Sequence, residues 1–343
     1  MDVTTLEWTI TFAVTIGVLL FDVVVIARDP REPSLKECAL ALSVYVGGAV
    51  AFGLWTLAKH GHDYGVQFFA GWLTEYSLSI DNLFVFLILM AALKVPRKYQ
   101  QEALLIGIIL ALVFRGVFIA LGYTLIENFS WVFYLFGAFL VYTAAKLVGS
   151  YTDDEEEHPE DNAVVKFAQR HMNVGTEYHG LRLWYVENGV RFVSPILIVI
   201  LALGVTDILF ALDSIPAIFG ITQEPYLVFT ANVFALMGLR QLYFLLGGLL
   251  QRLVYLSLGL AFVLAFIGVK LVLHALHENE LPFINGGNHV TGAPEISSLV
   301  SLGVILTTLV VTAVASLLKA PAGTDEAVAP ADLDETPGSD WRE

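Results

Sequence analysis

Cysteine and charged residues are scarce in this chain. Only 15% of its 343 residues are Asp, Glu, Lys or Arg, whereas soluble domains carry about 25%. The single cysteine, Cys38, excludes an intrachain disulfide and a thiolate cluster. Because 57% of the residues are hydrophobic and the mean hydropathy is +0.71, the composition excludes an ordinary soluble domain and indicates repeated membrane crossings.

Positively charged residues are scarcer than negatively charged ones. The chain has 18 Lys and Arg against 33 Asp and Glu, which gives a net charge of −15. A protein that binds nucleic acid needs a basic surface that neutralises phosphates. We therefore expect a lipid bilayer around this chain and no nucleic-acid partner.

Apolar runs of about 20 residues, each long enough to cross a bilayer, recur along the whole sequence. Residues 1–7 contain no Lys or Arg and Arg28 follows the first run, which is the reverse of a cleavable signal peptide. We therefore keep that run as a span and predict an all-α membrane protein of about nine transmembrane helices. The spans are residues 8–27, 35–58, 66–93, 99–122, 130–148, 192–221, 226–247, 253–276 and 296–318.

The connections between the spans alternate in positive charge. Those after the first, third, fifth and seventh spans carry Lys or Arg, whereas those after the even-numbered spans carry only Lys59. Positive connections stay on the cytoplasmic side. The pattern therefore predicts an N-terminus outside and a C-terminus in the cytoplasm.

Two polar segments interrupt or follow the predicted transmembrane domain of residues 1–319. Residues 150–191 contain five consecutive acids at 153–157 and predict an acidic cytoplasmic loop; we interpret the acids as a solvated surface rather than as a metal site. Residues 320–343 are rich in Ala, Pro, Asp and Glu and predict a disordered acidic tail.

Charged residues inside the spans follow a repeated pattern. Each half of the chain has two acids six residues apart, an arginine in the next span and a lysine in the one after. These residues are Glu75, Asp81, Arg115 and Lys146 in the first half, and Asp207, Asp213, Arg240 and Lys270 in the second. The repeats cover about residues 66–149 (spans 3–5) and 192–277 (spans 6–8). Because each has three spans, the second is predicted to be inverted, as is typical of transporters whose substrate site lies near the midplane.

The two acids of one span are predicted to lie at different depths. Six residues along a helix rise about 9 Å and turn about 240°. Because the two acidic spans run antiparallel, we expect Glu75 and Asp213 in an outer tier and Asp81 and Asp207 in an inner tier of one pathway.

A cation explains why these acids lie in the bilayer. Each carboxylate there costs about 2.5–3.5 kcal/mol, which a proton, a buried cation or a bound metal must offset. The neutral oxygens of Asn82 and Ser214 lie beside the acids, with no Cys or His among them. Such oxygen ligands suit hard divalent cations such as Mg²⁺, Ca²⁺ and Mn²⁺, and protons would compete for the same oxygens.

Other interpretations of these residues remain open. The four acids could form an ion-pair lattice with Arg115 and Arg240 that carries no transported ion, although ionisable groups in a membrane are functional by default. Lys146 and Lys270 lie near span ends, where snorkelling and gating are equally good explanations. Asp22 in the first span suits either an ion pathway or a helix–helix hydrogen bond.

The segments EYSLSIDNLFVF, FGAFLVYTAAKL, DILFALDSIPAIFGIT and LMGLRQLYFLL resemble signature segments of the TerC/Alx family of integral membrane proteins, over about residues 8–318. The family is named for tellurite resistance. The resemblance implies a fold of the LysE-type transporter superfamily and, for the Alx branch, manganese export across the bacterial plasma membrane. It also implies metal ligands, with matching motif positions, at Glu75, Asp81, Asn82, Asp207, Asp213 and Ser214, and it matches Asp22 to a family acid.

The resulting prediction is a carrier rather than an enzyme, without a cofactor, that exports Mn²⁺ in exchange for protons; Ca²⁺ is left open as the ion. A LysE-like exporter of an organic solute is one alternative, for which cationic or aromatic groups would be expected in the cavity. A membrane factor that assists the assembly of other membrane proteins and transports nothing is the other.

Overall fold

A computed structural model describes residues 1–28, 33–92, 95–129, 131–152, 183–187, 190–246, 254–279, 281–282, 284–290 and 292–319. These residues form a bundle of ten α-helices. The helices are α1 (Thr5–Arg28), α2 (Leu35–Lys59), α3 (His62–Ala92), α4 (Arg97–Asn128), α5 (Val132–Thr152), α6 (Pro195–Phe219), α7 (Pro225–Met237), α8 (Leu239–Leu246), α9 (Leu256–His277) and α10 (Ser298–Lys319). A short 3-10 helix at Asn285–Gly287 lies between α9 and α10.

The predicted all-α membrane class is confirmed. Within the described ranges, eight helical segments are long and apolar enough to cross a bilayer, and α7 and α8 together form one of them. Helix α3 is 31 residues long, so at about 1.5 Å per residue it also exceeds the roughly 30 Å of a hydrocarbon core. Local signals set several helix starts: Ser34 and Glu37 form a capping box at α2, and proline opens α6 and α7.

The predicted span 226–247 is confirmed as one apolar crossing, but it consists of two helices instead of one. Helix α7 ends at Met237, Gly238 interrupts it, and α8 begins at Leu239. Gly238 lies so close to its neighbours that an added Cβ would be 3.0 Å from Leu42 of α2 and 3.7 Å from the Tyr76 hydroxyl of α3. The glycine therefore lets three helices approach one another at the break.

The segment predicted as an acidic loop is partly ordered. Strands β1 (Trp184–Glu187) and β2 (Val190–Val193) pair antiparallel, with Trp184 opposite Val193, so the predicted span 192–221 begins as a helix only at Pro195. The acids at 153–157 and the predicted tail 320–343 lie outside the described residues.

Helices of the two predicted repeats pack on each other across the bundle. Helix α3 packs on α7, α4 on α6, and α5 along α9, while α10 covers α3 and α9. A two-fold relation between the halves would give this pairing, although the inverted repeat itself stays a prediction. Helices α5 and α9 approach each other closely at Gly137 and Gly268, where a Cβ added to Gly268 would lie 2.9 Å from the Gly137 carbonyl oxygen.

We expect Gly268→Leu to destabilise the bundle, because a side chain there has no room between α5 and α9. Overpacking of this kind costs about 1–3 kcal/mol. Thermal unfolding in detergent should show a Tm several degrees below that of the unchanged protein. Gly303→Leu in α10 is the matched control, since an added Cβ there meets nothing within 4 Å; equal Tm values for the two variants would contradict the close packing.

Candidate ion-binding centre

A buried arginine joins four helices in the middle of the bundle. Arg115 of α4 is 1% exposed. Its Nη1 donates to Glu75 Oε2 of α3 at 2.5 Å and to Asn232 Oδ1 of α7 at 2.9 Å, and its Nη2 donates to Asp207 Oδ1 of α6 at 3.4 Å. We name these four residues, Glu75, Arg115, Asp207 and Asn232, the Arg115 centre.

Small residues bring the helices of the Arg115 centre together. Gly71 lies one turn before Glu75, and a Cβ built on it would contact Ile218 of α6 at 3.4 Å and Ala231 of α7 at 3.6 Å. Asn232 follows Ala231, and its Nδ2 donates to the Val228 carbonyl one turn earlier. That bond orients the amide so that its oxygen faces Arg115.

The Arg115 centre retains unused hydrogen-bonding capacity. Within the part of the chain that the structure describes, Glu75 Oε1, Asp207 Oδ2 and Arg115 Nε are buried without a hydrogen-bond partner of good geometry, and the Ser214 hydroxyl lies close enough to Glu75 to interact with its carboxylate. Buried polar atoms are nearly always paired in native proteins, and exceptions call for an explanation. The unpartnered carboxylate oxygens are the atoms that a hard cation would use as ligands.

The formal charges of the Arg115 centre do not balance. Two ionised carboxylates face one guanidinium, which leaves one negative charge without compensation. Leaving a buried charge unpaired costs several kcal/mol. Either one of the two acids is therefore protonated, or a further cation is bound beside them.

The acids do not pair as their spacing predicts. Glu75 meets Asp207 across Arg115, so the predicted outer tier of Glu75 and Asp213 is wrong. Asp213 instead accepts a hydrogen bond from Thr143 Oγ1 of α5 at 3.1 Å, because its position about 240° around the helix turns it from α4 toward α5. Spacing along a helix predicts the depth of a side chain but not which neighbouring helix that side chain faces.

The other predicted ligands are only partly described. Asp81 lies in α3, but its side chain lies outside the described residues, so the inner tier of Asp81 and Asp207 stays a prediction. Asn82 and Ser214 are buried. Within the described ranges, no group of three or more His, Cys, Asp or Glu side chains is arranged to hold a metal. In this conformation Arg115, and not a set of three acids, is the partner of Glu75 and Asp207.

The predicted gating residues occupy separate places. Arg240 Nη2 donates to Asp22 Oδ1 at 3.2 Å, and Tyr45 donates to Asp22 Oδ2 at 3.2 Å. Asp22 therefore serves as a helix–helix contact of α1 with α2 and α8, which was one of its two predicted roles. We name Asp22, Tyr45 and Arg240 the Asp22 latch. Lys146 is exposed and lies close enough to interact with the charge of Asp213, and Lys270 is half-buried in α9.

Three partners were missed by the sequence analysis, namely Asn232, Thr143 and Tyr45. Asn232 had a usable signal, since it is a lone amide in the apolar run YLVFTANVFALM. Thr143 and Tyr45 had none, because Thr and Tyr are common in membrane helices and at their interfaces.

Comparison with known proteins places the sequence among integral membrane proteins. Residues 60–322 match the profile of the Integral membrane protein TerC family. An uncharacterised membrane protein of Mycobacterium bovis is 45% identical over 331 residues, which cover 96% of this chain and 83% of the relative. No solved structure matches the chain.

Two further relatives have more descriptive names. The thylakoid membrane protein TERC of Arabidopsis thaliana chloroplasts is 41% identical over 243 residues, which cover 71% of this chain and 63% of the relative. A protein of Photorhabdus laumondii named putative membrane-bound redox modulator Alx is 35% identical over 272 residues, which cover 76% of this chain and 84% of the relative.

We expect the Asp22 latch to be an energetic contact between α1 and α8. Both Asp22 and Arg240 have side chains 13% exposed, so solvent screens the pair only partly. A double-mutant cycle of Asp22→Ala and Arg240→Ala, measured by thermal unfolding, should give a coupling of about 0.5–3 kcal/mol. The cycle of Asp22→Ala with Asn232→Ala is the control and should be additive. Equal coupling in both cycles would contradict the assignment.

Proposed function

This chain belongs to the TerC family of integral membrane proteins, and from that premise we propose that it exports a hard divalent cation, Mn²⁺ in particular, through the Arg115 centre. The membership confirms the resemblance drawn from the sequence segments. The proposal treats the chain as a carrier rather than an enzyme, in a bacterial plasma membrane, with its N-terminus outside and its C-terminus in the cytoplasm.

One observation carries this proposal. Two carboxylates from the two acidic motifs, Glu75 and Asp207, converge on one buried point, and each keeps an oxygen without a hydrogen-bond partner among the described residues. Because one guanidinium compensates only one of the two buried carboxylates, the second remains unpaired unless a proton or a further cation is bound there. The surrounding side chains supply amide and hydroxyl oxygens, which favour Mn²⁺, Ca²⁺ or Mg²⁺ over softer metals.

The alternatives receive less support from the same residues. An organic solute exporter would need a cavity lined by cationic or aromatic recognition groups, whereas the Arg115 centre is a compact acid-rich contact. A redox function, as the name of the Photorhabdus relative suggests for that protein, finds one buried thiol, Cys38, in this chain. A single thiol cannot form a disulfide within the chain. A role in assembling other membrane proteins has no specific observation in its favour.

Transport assays on variants test the proposal. Purified protein in proteoliposomes should move Mn²⁺ across the membrane, and Glu75→Gln and Asp207→Asn should each reduce the flux at least about 100-fold, since losing a carboxylate ligand costs several kcal/mol of ion binding. Asp81→Asn and Asp213→Asn are expected to reduce it too, if those acids line the pathway. Glu127→Gln, at an exposed position of α4, is the matched control. Wild-type vesicles that move no Mn²⁺ would refute the proposal.

We expect Mn²⁺ transport to weaken in acid. Because two carboxylates exceed one guanidinium by one negative charge, a proton can take the place of the cation at the same oxygens. When one proton competes, the apparent KM for Mn²⁺ should rise about tenfold for each unit by which the pH is lowered. Initial rates measured between about pH 8 and about pH 6 would show this. A KM that does not change with pH would remove proton competition while leaving the carrier intact.

A further inference from the structure

We propose that Arg115 is a tethered cation, which occupies Glu75 and Asp207 when no metal ion is bound and leaves them when a divalent ion enters. The inference rests on the proposed transport function and assigns Arg115 a positioning role within it. Arg115 takes part by competing with the transported ion for the two acids, not by binding that ion.

The geometry of Arg115 suits a partner that can be released. The strongest guanidinium–carboxylate contact is bidentate, with two parallel N–H bonds to one carboxylate. Arg115 instead divides its terminal nitrogens between Glu75 at 2.5 Å and Asp207 at 3.4 Å. Its Nε and one oxygen of each acid have no hydrogen-bond partner among the residues that the structure describes. The guanidinium therefore holds both acids without saturating either of them.

The arginine at the matching position of the second half provides an internal comparison. Arg240 Nη2 donates to Asp22 Oδ1, and the other oxygen of Asp22 accepts from Tyr45. The side-chain amide of Gln241 is oriented so that both its nitrogen and its oxygen have hydrogen-bond partners, and its oxygen accepts from Arg240 Nη2 at 2.9 Å. Both oxygens of Asp22 are thus used, as in a structural contact, whereas the Arg115 centre keeps one oxygen of each acid available.

The charges explain why a tethered cation would be useful. With Arg115 in place, the acid pair keeps a charge of −1; with a divalent ion in its place, the charge is zero. A divalent ion is therefore the better counter-charge and can displace the guanidinium. After the ion leaves, Arg115 returns, so the carrier never holds two buried carboxylates without a cation, a state that would cost several kcal/mol.

The side-chain amide of Asn232 gives Arg115 a third, uncharged hydrogen-bond partner when no metal ion is bound. Asn232 Oδ1 accepts from Arg115 Nη1 at 2.9 Å, and the amide is held by its own helix through Val228. This neutral acceptor stabilises the guanidinium in the centre without adding negative charge. It also means that release of Arg115 changes a contact with α7 as well as with α3 and α6.

Transport kinetics of Arg115 variants test the inference, with Mn²⁺ as the probe and the full chain in proteoliposomes. Arg115→Met removes the competing cation, so the KM for Mn²⁺ should fall about tenfold. The kcat should fall as well, because nothing replaces the ion when it is released. Arg115→Lys keeps the charge and should restore both constants toward those of the unchanged protein. Arg240→Met removes the matching arginine and should leave the KM within about twofold.

The outcomes separate this inference from the proposed function. If the wild-type protein transports Mn²⁺ but folded Arg115→Met has an unchanged or raised KM, the tethered-cation inference is wrong and the proposed carrier function is unaffected. Absence of wild-type flux overturns both. If Arg115→Met does not fold, Arg115→Gln decides the matter by direct Mn²⁺ binding in detergent: the tethered cation predicts tighter binding than in the wild type, because the competing positive charge is gone, and an unchanged or weaker affinity overturns it.

Discussion

The burial of the Arg115 guanidinium between two carboxylates is the constraint on which the centre of this bundle depends. Three ionisable groups in an apolar interior are tolerated only if they stay in contact, because each charge left alone costs several kcal/mol. Helices α3, α4 and α6 must therefore meet at one point, and α7 joins them through Asn232. Lipid offers these helices no comparable reason to choose one partner over another, since apolar side chains pack about as well on acyl chains as on each other.

Small residues make that meeting sterically feasible, and they also separate the centre from the Asp22 latch. Gly71 lets α3 approach α6 and α7 beside Glu75. Gly238 breaks the seventh span six residues after Asn232, so Arg240 lies on a separate short helix. The two arginines at matching positions of the sequence repeat therefore have different surroundings: one is shared by two acids at the centre, and the other closes a contact between α1 and α8.

The sequence predicts the helices and the buried acids but not which acids share a partner. Apolar runs identify spans because the bilayer imposes their length, and an acid inside such a run needs a function, which singled out Glu75, Asp81, Asp207 and Asp213. The contact of Glu75 and Asp207 with the same guanidinium was missed, because spacing along one helix says nothing about its rotation against another. The break at Gly238 was missed too, since one glycine hardly alters the hydropathy of a long apolar run. In the structure the matching acids of the two motifs, Glu75 and Asp207, bind the same guanidinium, as residues related by a two-fold axis would.

The asymmetry between the two acids bears on how the centre could change state. A bound ion can shift a conformational equilibrium only by its different affinity for the two states. Arg115 is held tightly by Glu75 and weakly by Asp207, so the Asp207 side of the contact is the less costly one to open. An ion that first binds Asp207 Oδ2 would weaken the contact between Arg115 and Asp207 before it competes with Arg115 for Glu75. Entry from the α6 side of the centre therefore requires a smaller initial loss of contacts than entry from the α3 side.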